Sequence, residues 1–232
     1  MEPRLLLFDF DGTIAESFSQ HMAIINRLTL KYGVTIFESS FSKLVYEKNL
    51  MELIKLFRIS PLVVPLIVFN QRRELYKVID SIQPVQGIPE VLREIRKRYK
   101  KIRLGLLTSN SKRNVNRFIA NHDLDIFDIV YSSCSIYDKS RSMNRLLKRE
   151  RLPSSKVIYF GDEVRDILSA KRVNIACGTV TWGFNSEKLL LSADPEFVLR
   201  KPDEIFDLLP ENKHNLQWST IKAIDACFSS NR

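Results

Sequence analysis

The sequence predicts an α/β protein whose parallel sheet is interrupted, after its first strand, by an all-helical insertion. Three observations carry this expectation. Mostly apolar runs at Leu5–Phe8, Ile102–Leu107 and Val157–Phe160 each end in a polar or acidic loop, the pattern of strands covered on both faces. Amphipathic helical stretches separate the later runs, as in a strand–helix alternation. From about residue 18 to Gln83, by contrast, the periodicity is helical throughout.

The first run leads into Asp9-Phe10-Asp11-Gly12-Thr13. If both carboxylates lie on the extended segment, they emerge on the same side, because strand side chains alternate. Neighbouring carboxylates repel, so the pair asks for a cation or for one protonated member. A hard divalent ion with oxygen ligands answers that need. Gly12 permits a sharp turn, and Thr13 is placed to hydrogen-bond nearby. The competing reading is a strand that ends in a solvated Asp-Gly turn.

In the insertion, apolar residues recur at Met22, Ile25, Leu28 and Leu30, and again at Leu50, Leu53, Ile54 and Phe57. Pro61 and Pro65 break the pattern before it resumes from Leu66 to Ile82. These stripes read as the insertion's own core. Pro84-Val85-Gln86-Gly87-Ile88-Pro89 marks the return, followed by a helix from Glu90 to Tyr99 with Val91, Leu92 and Ile95 on its apolar face.

The second strand ends in Thr108-Ser109-Asn110-Ser111-Lys112. Hydroxyls and free helix amides at such a point can hold a phosphate; equally, Ser and Asn can simply cap the next helix. A helix from Val115 to His122 and a strand over 127–131 follow. The loop Ser132–Ser142 carries Lys139, with Arg141 as its rival, ahead of a helix from Met143 to Glu150. The run Val157–Phe160 then ends in Gly161-Asp162-Glu163, with Asp166 on the first turn of a helix, where acids also complement the helix dipole. A strand near Ala176–Val180, a Gly turn, a short strand within 193–199 and a closing helix from Pro202 to Leu209 complete the pattern. The tail from Pro210 has no motif.

The composition suits a globular chain of one core with a modest insertion: 232 residues, 44% hydrophobic and 27% charged. No apolar run is long enough for a membrane span, and Met1–Arg4 passes straight into the first strand, which predicts no signal peptide. Cys134, Cys177 and Cys227 lack metal-ligand spacing, and their odd number suits reduced thiols in the cytoplasm. A formal charge of +9 fits an anionic substrate or nucleic acid. The densest basic run, Arg93–Arg103, reads as the solvated face of a helix.

Taken in order, the strand with Asp-x-Asp-Gly-Thr, the Thr108 loop, Lys139 and the Gly-Asp-x-x-x-Asp segment resemble the four motifs of the haloacid-dehalogenase-like phosphohydrolases. The helical insertion after the first strand is similar to the cap of the phosphoglycolate-phosphatase-like branch. The resemblance spans roughly residues 4–209. It implies a Rossmann-like core over 1–15 and 84–232 and a helical cap over 16–83. It implies Asp9 as nucleophile and Asp11 as acid and base, the latter with a raised pKa. It also implies Thr108 on the phosphate, Gly12, Thr13, Ser109 and Asn110 around the substrate, and Lys139 neutralising charge. Lys112 is a weaker candidate there. Mg2+ would be held by Asp9, the Asp11 carbonyl and Asp162, with Asp166 behind them.

The expected substrate is a small phosphorylated metabolite, phosphoglycolate first. A mutase, a nucleic-acid-end phosphatase and a non-catalytic binding module are the rival readings. A cap obstructs a polymer, and the Asp at position 11 argues against dehalogenation. Phosphonatases need a cap lysine, and nothing singles out Lys31, Lys43, Lys48 or Lys55. His21, Arg27, Lys48, Arg72 and Arg73 are the polar candidates for specificity in the cap. The oligomeric state is not legible.

Overall fold

In the computed structural model, which describes residues 2–31, 38–132 and 137–210, the central element is β1 (Leu5–Phe8). Six parallel strands form one sheet in the order β3-β2-β1-β4-β5-β6. They are β2 (Arg103–Thr108), β3 (Ile129–Ser132), β4 (Val157–Gly161), β5 (Ala176–Val180) and β6 (Phe197–Leu199) beside β1. β1 is flanked on both sides, with Leu5 opposite Arg103 and Val157, and Phe8 opposite Leu106 and Phe160. All four of its side chains are fully buried, which is why it carries no polar residue.

Strand alternation divides the core between the two faces. Leu6, Phe8, Leu104, Leu106, Ile158 and Phe160 pack on one face, against α5 (Ile88–Arg98) and α6 (Lys112–Asn121). Leu5, Leu7, Val157 and Tyr159 pack on the other, against α7 (Ser140–Glu150) and α8 (Val164–Lys171). The strand order reverses its direction at β1, and open α/β sheets bind ligands in the crevice at the carboxyl ends there.

Between β1 and β2 lie α1 (Phe18–Lys31), α2 (Glu38–Glu47), α3 (Leu50–Leu56) and α4 (Val64–Val78), with α1 packed along α4. The chain leaves and re-enters the core side by side: Glu16 N donates to the Gln83 carbonyl and Val85 N to that of Ile14, both at 2.9 Å. Pro65 opens α4 rather than interrupting a helix, because its missing N–H falls in the first turn, where no intrahelical partner exists. Leu30, read as part of the insertion's apolar stripe, is exposed on the far side of α1. Gly87, at φ +88°, turns the chain into α5. The helix then starts at Ile88, ahead of the expected Glu90.

Three boundaries differ further along the chain. α6 and α7 begin at Lys112 and Ser140, each about a turn earlier than their apolar periodicity suggests, because the leading polar residues belong to their first turns. A short α9 (Glu187–Leu191) precedes β6, and the closing Pro202–Leu208 segment is a 3-10 helix rather than an α-helix. The basic run on α5 lies on its outer face. Among the described residues no helix is long and apolar enough to cross a membrane. Cys177 is buried and unpaired, whereas Cys134 and Cys227 lie outside the described residues.

Candidate active site

The strand β1 stops at Phe8, so Asp9 and Asp11 stand on the turn beyond it and not on the extended segment itself. Asp9 N still donates to the Phe160 carbonyl at 2.8 Å, which fixes Asp9 beside the end of β4. Gly12 adopts φ +77°, and a Cβ there would lie 2.2 Å from an Asp162 oxygen. No other residue fits that close approach. Both aspartates line one cavity, yet their surroundings are opposite in character.

Asp9 faces a cation. Lys139, at the residue before α7, is fully buried and donates from Nζ to Asp9 Oδ2 at 2.5 Å, Asp166 Oδ1 at 2.8 Å and Tyr159 Oη at 2.9 Å. An ammonium has three protons, and all three are used. The Tyr159 hydroxyl in turn donates a hydrogen bond to Asp166 Oδ1 at 3.1 Å. Burial works against the charge of Lys139, but the Asp166 and Asp9 carboxylates outweigh it and hold its pKa above the usual value. The rival Arg141 is exposed.

Asp9 is pushed up to about 7 by burial, which Lys139 opposes and the charge of Asp166 reinforces. One ammonium shared between two carboxylates leaves Asp9 incompletely compensated. Asp162 is driven well above the ordinary carboxylate range by burial and by the charges of Glu163, Asp9 and Asp166. Its partners are neutral: Thr13 Oγ1 donates to Oδ1 at 2.7 Å and Phe184 N to Oδ2 at 2.8 Å.

Carboxylate oxygens of Asp9, Asp162 and Asp166 lie within 4.8 Å of one another. Three buried acids, two of them on the Lys139 ammonium and all offering hard oxygen, form a donor set that fits a small dication. Asp166 is the least available of the three. Lys139 and Tyr159 occupy its Oδ1, and its Oδ2 accepts from Glu163 N at 3.2 Å, closing a capping box at the start of α8. Burial raises the Asp166 pKa, but Lys139 and Arg165 outweigh that and lower it.

Asp11 is held quite differently. Oδ1 accepts from Ser17 Oγ at 2.9 Å and lies 2.9 Å from His21 Nε2, while Oδ2 accepts from Asn110 Nδ2 at 2.9 Å. Gln71 Nε2 lies 2.7 Å from His21 Nδ1. An amide that donates to Nδ1 leaves the ring proton on Nε2, facing Asp11. Burial raises the Asp11 pKa, but His21, Ser17 and Asn110 outweigh it, so the pKa is lowered. The rise expected for Asp11 on exclusion of water is opposed in this arrangement by the charge of His21 and by the hydrogen bonds from His21, Ser17 and Asn110.

The other expected site residues fall as follows. Thr108, at the end of β2, is wholly buried, and its Oγ1 accepts from Asn110 N at 2.9 Å. Ser109 and Asn110 line the cavity, with Asn110 turned toward Asp11. The Thr13 hydroxyl is engaged by Asp162. Ser111 caps α6, as the simpler reading of that loop has it, and Lys112 is exposed. Of the insertion's polar candidates, His21, Lys48 and Arg72 line the cavity, and Arg72 donates to the Ser109 carbonyl. Arg27 and Arg73 do not: Arg27 pairs with Glu74, and Arg73 lies over the Phe69 ring.

Sequence reasoning missed the supporting residues. Tyr159 looks like an ordinary buried-strand residue, and only its place on the α7–α8 face brings its hydroxyl to Lys139. Gly183 was legible only as a turn, yet a Cβ there would meet Asp162 at 2.2 Å. Asn185, which accepts from Val164 N and donates to the Val45 carbonyl, ties the loop after β5 to both α8 and α2. Glu163 pairs with Arg165 at 2.5 Å.

Comparison with known proteins agrees with this arrangement. Residues 6–180 match the family model described as haloacid dehalogenase-like hydrolase. The phosphoglycolate phosphatase of Synechococcus elongatus is 28% identical over 207 residues, covering 89% of this chain and 97% of that protein. Among solved structures, a haloacid dehalogenase-like family hydrolase from Streptococcus pneumoniae superposes with a TM-score of 0.72 at 22% identity, covering 89% of this chain and 98% of that one. CbbY from Rhodobacter sphaeroides, solved in complex with phosphate, superposes with a TM-score of 0.65 at 21% identity, covering 85% and 93%. The chain belongs to the haloacid dehalogenase-like hydrolase family, as a phosphatase of its phosphoglycolate-phosphatase-like branch.

Proposed function

We propose that this phosphatase is Mg2+-dependent, acts on a small phosphomonoester and works through a phosphoryl group carried on Asp9. The observation that carries the reading is the contact between buried Lys139 and Asp9 at the carboxyl end of the central strand. A carboxylate must approach an anionic phosphate, and a fixed ammonium beside it lowers the repulsion. Mg2+ would be held by Asp9 and Asp162 with the Asp11 carbonyl, and Asp166 would orient the site from behind. When bound it would supply charge neutralisation at the phosphate.

Asp9 attacks phosphorus in line, forming an acyl phosphate bond as the ester P–O bond breaks. The departing alkoxide takes its proton from Asp11. The charge of His21 and the hydrogen bonds on Asp11 favour its ionised form, and a phosphate dianion arriving beside it favours the protonated form. In the second step Asp11 accepts a proton from the water that attacks the phosphorus of the intermediate, and Asp9 is regenerated. Ser17, His21 and Asn110 hold the Asp11 carboxylate in place through both steps. Thr108 and the amides at the start of α6 are the donors for the transferring oxygens.

We read residues 16–83 as the cap, joined to the core at the paired crossings by Ala15 and Pro84. Phosphoglycolate is the first reference substrate, because relatives bear that name. We place the reaction in the cytoplasm, in keeping with an unpaired buried Cys177. Phosphate release from p-nitrophenyl phosphate tests the reading, with Mg2+ and with EDTA, for wild type and Asp9→Asn. Release that requires Mg2+ and is lost in Asp9→Asn is expected. Release that persists in Asp9→Asn overturns the nucleophile, and no release in wild type overturns the enzyme reading.

A further inference from the structure

The cavity above Asp9 and Asp11 measures about 180 Å³, and most of its wall is apolar. Met22, Ile25, Leu53, Ile54, Phe57 and Val68 of the insertion face it. Met22 and Leu53 are buried in the insertion's own core, as the sequence reading has it, and Ile25 and Phe57 pack against them; Ile25, Ile54, Phe57 and Val68 are nonetheless only half-buried where they line the cavity. Most polar side chains on the wall are already engaged. Gln71 meets His21, Arg72 meets the Ser109 carbonyl, Arg165 meets Glu163, and Asn185 bridges Val164 and Val45. Lys48 is the lining cation with no hydrogen-bond or ion-pair partner among the described residues.

We infer that the alcohol of the substrate is small and apolar, and that it seats against this wall. The inference rests on the phosphatase reading of the same site and names its substrate class. The lining supports it: beyond Asp9, Asp11, Ser109 and Asn110, where the phosphate would sit, most of the remaining wall is aliphatic or aromatic. Chemistry supports it as well. On the phosphatase reading the phosphate would sit at the floor, against Asp9, Asp11, Ser109 and Asn110, and the wall would meet the leaving group. An apolar leaving group removes that wall from water, and glycolate leaves it wet. The relatives' names favour a carboxylated alcohol; the walls of this chain favour an apolar one.

The experiment compares kcat/KM for benzyl phosphate and phosphoglycolate on the full chain with Mg2+, in wild type, Ile54→Arg and Lys48→Met. Calorimetry with benzylphosphonate and phosphonoacetate runs beside it. Benzyl phosphate is expected to exceed phosphoglycolate by about tenfold or more, and Ile54→Arg to move that ratio toward phosphoglycolate by a similar factor. Should Ile54→Arg not fold, Phe57→Ala is expected to lower the benzyl phosphate value by about fivefold through lost contact. Phosphoglycolate equal to or better than benzyl phosphate in wild type, with that turnover lost in Lys48→Met, overturns the inference and leaves the phosphatase intact. Turnover of neither compound overturns the phosphatase, and calorimetry then decides the cavity. Tighter binding of benzylphosphonate than of phosphonoacetate upholds the apolar assignment; equal or weaker binding overturns it.

Discussion

The two sides of the cavity are built on different principles. On the core side, every functional group has a defined partner: Lys139 spends its three protons, Asp162 is fixed by Thr13 and Phe184, and Asp11 is fixed by Ser17, His21 and Asn110. On the insertion side, half-buried aliphatic side chains present a surface with few directional contacts. The first arrangement fixes geometry within hydrogen-bond tolerances, as chemistry on phosphorus requires. The second fixes shape and polarity only, which is what discrimination among leaving groups requires. On the proposed reading, reaction and selectivity would be carried by separate regions that share one floor.

The sharpest way to break that comparison is to empty the centre of the core side. Lys139→Met removes the ammonium and strands two buried carboxylates, Asp9 and Asp166. Breaking a buried ion pair from one side costs about 3–5 kcal/mol, and that loss is expected in urea denaturation. Turnover is expected to fall by on the order of 10³-fold or more. A variant that keeps wild-type stability would show that the cluster is not the charge balance described above.

Asp162→Asn comes next. In the wild type, Mg2+ at about 100 times its dissociation constant is expected to stabilise the fold by about 2.7 kcal/mol, read as a rise in Tm. The variant is expected to lose that rise, because an amide offers the ion a neutral and weaker oxygen in place of a carboxylate. A Mg2+-dependent rise that survives in Asp162→Asn would place the ion elsewhere.

The same division explains what could be read from the sequence. Asp9, Asp11, Lys139, Asp162 and Asp166 were legible because chemistry dictates both their type and their place after buried strands. The sheet was legible because β1 and β4 bury both faces and so carry unbroken apolar runs. Tyr159, Gly183 and Gln71 were not, since each acts through a neighbour that only the tertiary fold supplies. The groups that lower the Asp11 pKa were hidden for the same reason: burial can be inferred from position, whereas the convergence of Ser17, His21 and Asn110 cannot. Nor could Ile25 or Ile54 be assigned. A helical period of apolar residues looks the same whether the stripe packs inward or walls a cavity.

His21 belongs to the insertion but serves the core, so its removal tests how far the two sides are separable. The Asp11 pKa is lowered in the folded protein. Its contribution to stability is therefore present above the unfolded value and is lost as pH falls through the folded one. His21→Ala is expected to reduce stability at pH 7 by about 1.5–3 kcal/mol, the range for a hydrogen bond to a charged group. The difference from wild type is expected to shrink below pH 4, where Asp11 protonates in the unfolded chain. Denaturation midpoints across that range check the sign. A difference that grows as the pH falls below 4 would mean His21 does not hold the Asp11 charge.

The smallest effect separates packing from lining. Leu92, on α5, is fully buried against the sheet, and truncation to Ala is expected to cost about 2–5 kcal/mol, because the cavity it leaves cannot be filled. Ile54 faces a space that exists already. Truncating it enlarges that space without emptying a packed site, so Ile54→Ala is expected to cost less than about 1 kcal/mol. Urea denaturation of the two variants reads the contrast directly. Equal costs would mean that Ile54 packs as Leu92 does and that the wall is core after all. A small cost for Ile54 with an intact fold leaves its side chain answerable to the substrate rather than to stability. That is the condition under which the cavity wall can vary its selectivity while the charged floor stays unchanged.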